Sequence, residues 1–407
     1  MRSMQIVEWA KPLEQREYPT PTPRGTQVLI KVEACGVCHS DLHIHEGYFD
    51  LGGGNKLELA RLGVTLPFTL GHEIVGEVVA VGPEAGGAKV GDKRVVHPWI
   101  GCGACEFCRR GEELLCGSMK SLGTRTNGGY SDYVMVPHPR YLIDYADVPA
   151  DLACTYTCSG VTAYSALKKL AHLPERDIVV IIGARGVGLN AVGIAKAVLQ
   201  CRIVVADTDP TKREAAHKAG AAEVVDNNTP NAAATLKEMT ASGAGAGGAI
   251  DFVGAPGTVR FGMDVLRKGG TLVIVGLFGG MASFPLPLIP MRIVTVRGSY
   301  VGALDDSREL MTLVKAGKVP PIPVASRPLN QINQVLNELR GGKVLGRIVV
   351  KPALDTTRAS GRASSASRLW GSRTLCSRSG FLHCPSFSEP WSSVRSWPTW
   401  DVERGGP

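Results

Sequence analysis

The sequence predicts an α/β protein in two parts: a β-rich N-terminal unit, then a doubly wound parallel sheet. Three observations carry this. The first 150 residues hold short β-branched runs separated by Gly and Pro, the pattern of strands and turns. From about Cys154, continuous apolar strands alternate with helical segments, as in a parallel sheet covered on both faces. Between the first such strand and its helix lies a glycine-rich turn, GARGVG.

In chain order, QVLIKVEACGV, IVGEVVAVG, DKRVVHPWI and YSDYVMVP read as strands of the first unit. SGVTAYSALKKLA carries apolar residues at helical spacing. DIVVIIGARGVGLNAVGIAKAVL reads as strand, tight turn and helix; CRIVVADTD is the next strand, TKREAAHKAGA a helix and EVVD a short strand. AIDFVGA and TLVIVGL add strands, with FGMDVLRKGG as the helix between them. RELMTLVKAGK and LNQINQVLNELRGGK are helices, and GRIVVKP is a last strand returning to the first unit. The expected boundaries are 1–154 for the β-rich unit, joined by 299–351, and 155–298 for the Rossmann sheet.

A chain of 407 residues has ample core for two or three domains. Hydrophobic content of 44% and charge of 20% are those of an ordinary globular protein. No apolar run approaches the roughly 18 residues that span a bilayer, and MRSMQIVEW does not read as a secretory leader, so a cytoplasmic protein is expected. The net charge of +8 forms no basic stripe, and +3 of it comes from residues after Pro352, so nucleic acid is not an expected partner.

Cys102, Cys105, Cys108 and Cys116 lie in GCGACEFCRRGEELLC. Thiolates at such spacing can surround one tetrahedral zinc ion, leaving no open position, so this site is structural. An Fe–S cluster or disulfides are the alternatives; without a leader, disulfides are disfavoured. A second set is scattered, as a catalytic site would be: Cys38 in CGVCHSDLH, His72 and Glu73 in LGHEIVGE, and Cys158 in TCSGVTAY. Cys38, His72 and Cys158 would supply three ligands to a zinc with one open position. Cys35, Cys154, Cys201, Cys376 and Cys384 have no assigned role and read as buried free thiols.

The turn Gly183-Ala184-Arg185-Gly186-Val187-Gly188 departs from G-x-G-x-x-G at Arg185, where the backbone normally approaches a pyrophosphate. Gly183, Gly186 and Gly188 still serve the turn and the helix–strand contact. Asp207, at the end of the next strand, stands where a carboxylate holds the adenine ribose and repels a 2′-phosphate, favouring NAD over NADP. Arg185 would obstruct the pyrophosphate by bulk, which the need for glycine there favours, or pair with a phosphate oxygen.

Together these motifs, with the terminal GRIVV, resemble the zinc-dependent alcohol dehydrogenases of the medium-chain dehydrogenase/reductase superfamily, from about Met4 to Pro352. The resemblance implies a GroES-like barrel for the first unit, two zinc ions per chain and NAD. It also implies that Lys212 lies near the adenosine ribose, His39 and Arg347 near the pyrophosphate, Thr162 near the nicotinamide, and Glu73 behind the zinc. Ser40, two residues after Cys38, would face the substrate oxygen, and His43 would pass its proton on through the cofactor ribose. Asp41 would orient His72. Tyr48, Phe49 and Trp99 are candidate pocket walls, and GYFDLGGGNKLELARLGVTLPFT a lip over the cleft. His45 reads as a surface histidine. The short stretch from Cys116 to Tyr133 resembles tetrameric members more than dimeric ones, so a homo-oligomer, tetramer before dimer, is expected. A polyol or sugar dehydrogenase is the rival enzyme; such relatives often place Glu where Cys158 stands. A non-catalytic structural or binding protein on this fold is the reading of a different class.

Residues 352–407 break the composition, with twelve Ser, seven Arg, no Lys and four of the six Trp. The segment reads as a disordered tail, either a frameshift product or a functional appendage.

Overall fold

The computed structural model describes residues 1–240 and 243–352, so the tail expectation falls, beyond Pro352, outside the described residues. The parallel sheet forms as expected. Its strands lie in the spatial order Glu223–Val225, Arg202–Ala206, Ile178–Ile182, Ala246–Asp251, Leu266–Ile274 and Thr295–Gly298, every pair parallel. Ile178–Ile182 is buried along its whole length, which is why its sequence shows no polar alternation. Strand order reverses between Ile178–Ile182 and Ala246–Asp251, and ligands of such sheets bind at the carboxyl ends beside that reversal.

The β-rich unit is built around the long strand Val28–Val37, paired antiparallel with Glu73–Val81 and with Tyr133–Val136. Arg347–Lys351 also pairs with Val28–Val37, Ile348 opposite Val37, and Val324–Pro328 lies parallel to it. The last described strand therefore completes the sheet begun by the first fifty residues.

Two departures bear on the site. The helix expected over FGMDVLRKGG spans Pro256–Val265; Leu266 turns extended (ψ 145°) and pairs opposite Ala246, so LRKGG opens the strand Leu266–Ile274. The region after Cys38 holds a helix, His39–Glu46, and a hairpin, Tyr48–Gly52 with Asn55–Glu58. The helix ends where Gly47 takes φ 87°.

Candidate functional site

Cys38 caps the helix His39–Glu46, and its backbone N–H donates to Asp41 Oδ2 at 2.8 Å. That short helix fixes Ser40, Asp41 and His43 relative to the Cys38 thiol. His72 and Glu73 open the neighbouring strand, and Cys158 precedes the helix Ser159–Lys168. Ligating atoms of Cys38, His72, Glu73 and Cys158 all lie within 4.8 Å of one another, and all four residues are buried. The two thiols stand 3.9 Å apart. Cys38 is pushed well below the ordinary thiol value, chiefly by its hydrogen bond with Cys158, which is pushed well above it.

The polar atoms of this cluster are poorly satisfied by protein. His72 Nδ1 and Nε2 and Glu73 Oε2 are buried without a hydrogen-bond partner, an expensive state unless a cation is the partner. His72 Nδ1 faces Asp41 Oδ1 at 3.3 Å, an ion-pair distance without good hydrogen-bond alignment. Asp41 therefore stands where it would orient His72. Glu73 is paired with Arg347 at 2.5 Å; burial pushes its carboxyl up to about 7 despite that guanidinium. Arg347 also donates to Cys38 Sγ at 3.5 Å. The donor set of two soft thiols and one imidazole suits zinc.

Cys38 and Cys158 of this cluster line a cleft of about 450 Å³ together with Ser40, His43, His39, Thr162 and Arg347. Cys38 Sγ and Ser40 Oγ are 3.7 Å apart. His43 meets His39 edge-on (5.7 Å between centroids) and lies tilted against Phe49 (5.4 Å), and burial lowers its pKa. Burial also lowers His39, to about 4, helped by Arg185. Phe49 and Trp99 line the cleft, Trp99 5.4 Å from the His72 ring. Tyr48, expected with them, does not; its ring lies under Lys56 Nζ at 3.8 Å. His45 is a second correction: it is buried, its Nε2 2.6 Å from the carbonyl oxygen of Lys11. Leu59, from the segment expected as a lip, lines the cleft too, whereas sequence reasoning missed Arg125 and Tyr300, which come from loops distant in sequence.

The glycine-rich turn borders the same cleft through Gly183, Arg185, Gly186, Val187 and Gly188. Gly183 has φ 89°, and a Cβ at Gly188 would lie 1.8 Å from the Gly183 carbonyl oxygen, so neither position tolerates a side chain. Asp207 lines the cleft with both carboxylate oxygens pinned, accepting from Ala184 N at 2.8 Å and Asp209 N at 2.9 Å. Lys212 is buried beside it and paired with Asp209 at 2.9 Å. Arg185 Nη2 lies 3.0 Å from where a Cβ of Gly342 would stand, so its side chain reaches towards that residue.

Away from the cleft, Cys102, Cys105, Cys108 and Cys116 bring their sulfurs within 4.8 Å of one another. Cys105 and Cys108 sulfurs are 3.4 Å apart, far beyond a disulfide's roughly 2.05 Å, and all four are free thiols. Backbone N–H groups of Cys102, Cys105, Cys108 and Ser118 donate to Cys116, Cys102, Cys105 and Cys116 sulfurs respectively at 3.3–3.5 Å, the environment of thiolate ligands. Cys35, Cys154 and Cys201 are buried free thiols; Cys376 and Cys384 lie outside the described residues.

Residues 24–147 match the family described as alcohol dehydrogenase GroES-like domain, and residues 186–316 the family described as zinc-binding dehydrogenase. An NAD-dependent alcohol dehydrogenase of Sulfurisphaera tokodaii is 42% identical over 352 residues, covering 86% of this chain and all of the relative. One of Saccharolobus solfataricus is 40% identical over the same shares. Among solved structures, the alcohol dehydrogenase of Aeropyrum pernix superposes with a TM-score of 0.79 at 32% identity, over 86% of this chain and all of that one.

Proposed function

The chain belongs to the zinc-binding alcohol dehydrogenases of the medium-chain dehydrogenase/reductase superfamily, and from that premise we propose how its residues divide the oxidation of an alcohol by NAD to an aldehyde or ketone. One observation carries the reading: the buried Cys38, His72 and Cys158 set, in which His72 Nε2 has no protein partner, reaches through Cys38 and Cys158 the cleft that the glycine-rich turn also borders. Cys38, His72 and Cys158 would hold the catalytic zinc, with Glu73 behind them. When bound there, zinc supplies Lewis acidity that stabilises negative charge developing on the alcohol oxygen.

The remaining roles belong to the chain. Ser40 Oγ takes the hydroxyl proton. His43, kept neutral by burial, passes it towards solvent through the cofactor ribose. Thr162 positions the nicotinamide, His39 and Arg347 the pyrophosphate, and Lys212 the adenosine. Gly183, Gly186, Val187 and Gly188 cradle the dinucleotide, and the pinned carboxylate of Asp207 selects NAD over NADP by charge repulsion. The side chain of Arg185, reaching towards Gly342 instead of filling the turn, supports phosphate pairing over obstruction.

Cys102, Cys105, Cys108 and Cys116 would hold a second, structural zinc, giving two ions per chain. The exposed edge strand Thr295–Gly298, with exposed Ile293 and Met291 beside it, supports a homo-oligomer; a tetramer is the favoured state. Among the described residues no helix is long and apolar enough to cross a membrane; a cytoplasmic location is part of this reading. The test is metal analysis of the purified chain with NAD and NADP reduction measured on primary, secondary and aromatic alcohols. Two zinc per chain and NAD-selective turnover are expected; turnover after complete zinc removal would overturn the assignment.

A further inference from the structure

Arg125 is a cation on the substrate side of the cleft that the reaction leaves unused. It lines the cavity together with Cys38, Ser40, Cys158, Trp99 and Tyr300. Its loop is seated against the metal-ligand segment. Arg125 N and Thr126 N both donate to the Ser121 carbonyl, at 2.9 and 3.0 Å. A Cβ on Gly123 would lie 2.3 Å from Gly71 O and 2.9 Å from His72 N, so loop and ligand strand touch backbone to backbone.

The guanidinium is held in place but not neutralised. Nη1 donates to the Leu62 carbonyl at 3.1 Å. Among the described residues, no carboxylate stands within ion-pair distance of Arg125. An arginine has five N–H donors, and one carbonyl occupies one of them. Burial disfavours its charge, which makes an anionic partner from outside the protein the more favourable. Tyr300 stands edge-on to Trp99 at 6.0 Å, and Trp99 is 5.4 Å from His72, so an aromatic wall runs from the ligand set to the cation. Among the described residues Asp207 is the one acidic side chain lining the cleft, and it is committed to backbone amides on the dinucleotide side.

We propose that Arg125 makes this a dehydrogenase for alcohols that carry a carboxylate distal to the reacting hydroxyl. The hydroxyl meets the Cys38–His72–Cys158 set, the carbon chain lies along Trp99 and Tyr300, and the carboxylate pairs with the free edge of the guanidinium. The carbinol C–H leaves as hydride to NAD, the hydroxyl proton goes to solvent, and the carboxylate is unchanged; an ω-oxo acid and NADH result. This rests on the alcohol dehydrogenase reading and deepens it. A hydrogen bond to a charged group in such a site discriminates by about ten- to a hundredfold.

The experiment compares three matched series with NAD: ω-hydroxy carboxylates, n-alkan-1-ols and ω-amino alcohols of equal chain length, at low and high salt. The best hydroxy acid should exceed its matched alkanol in kcat/KM by about tenfold or more, the amino alcohol should fall below both, and only the acid's KM should rise with salt. Arg125→Gln should reduce the acid-to-alkanol ratio about tenfold, and Arg125→Lys, which keeps the charge, should retain part of it. Equal rates for acid and alkanol at every length would overturn the inference while leaving alcohol oxidation standing. A ratio unmoved in both variants would overturn the assignment to Arg125. Absence of turnover with all three series would overturn the alcohol dehydrogenase reading as well.

Discussion

The phenol of Tyr130 donates to Asp41 Oδ2 at 2.9 Å, and both residues are fully buried. The same oxygen accepts from Cys38 N at 2.8 Å, which leaves Oδ1 to face His72 Nδ1 at 3.3 Å. Tyr130 thus sets the orientation of a carboxylate that in turn orients a metal ligand. Tyr130→Phe keeps the ring and removes only that donor. It should cost about 1–3 kcal/mol of stability and weaken zinc retention about tenfold. Thermal unfolding and chelator competition read the two effects separately. Unchanged zinc release would show that the Cys38 amide alone suffices to hold Asp41.

Removing one thiol from each cluster separates their roles. Cys38→Ser should abolish NAD reduction while the protein keeps its fold and one zinc, because the open site lies against a preformed cleft. Cys105→Ser should lower the melting temperature and solubility, because residues 101–118 form a loop organised by amide–sulfur contacts to its own cysteines. Zinc per chain, activity and melting temperature on both variants check this; identical behaviour would erase the distinction between a catalytic and a structural ion.

Arg185 stands where a dinucleotide turn expects glycine, yet its side chain reaches towards Gly342. Arg185→Gly should therefore raise the KM for NAD several-fold, and more at low salt, where charge pairing is less screened. Titration of NAD at two ionic strengths decides it. A lower KM in the glycine variant would show that the side chain obstructs the cofactor.

His97 supplies an acid-sensitive point in the fold. Burial lowers its pKa to about 3, its Nδ1 lies 2.8 Å from Ser307 Oγ, and its ring stacks on Tyr141 at 6.4 Å. The unfolded chain binds a proton at this residue near pH 6.5 and the native chain does not until about pH 3, so its contribution is intact above 6.5 and is lost as pH falls through that window. The expected slope is about 1.4 kcal/mol per pH unit for such a group. His97→Asn should flatten the acid limb of a stability–pH curve; an unchanged limb would place the acid sensitivity elsewhere.

Much of this was legible because local chemistry repeats. Ile178–Ile182 announces a doubly covered strand by its uninterrupted apolar run, and Cys102 to Cys116 carry their clustering in their spacing. His45 was misread because nothing near it in sequence shows that Lys11 and Arg340 fold over it, the latter 295 residues away. Tyr48 shares its aromatic character with Phe49, but the alternation of the hairpin sends the two side chains to opposite faces. Arg125 and Tyr300 gave no sequence signal, since a loop arginine and a loop tyrosine acquire meaning only when two distant segments meet.

Glu73 finds its guanidinium partner 274 residues further along, on the strand that closes the sheet begun by Val28–Val37. During synthesis, then, Cys38, His72 and Cys158 all leave the ribosome well before Arg347 does. For that interval the nascent chain carries a buried-to-be carboxylate with no counter-charge and a sheet with an open edge beside its metal ligands. Closure around the metal ligands is in this sense a late event: the order of translation withholds the last described strand until the other residues that line the pocket have been made.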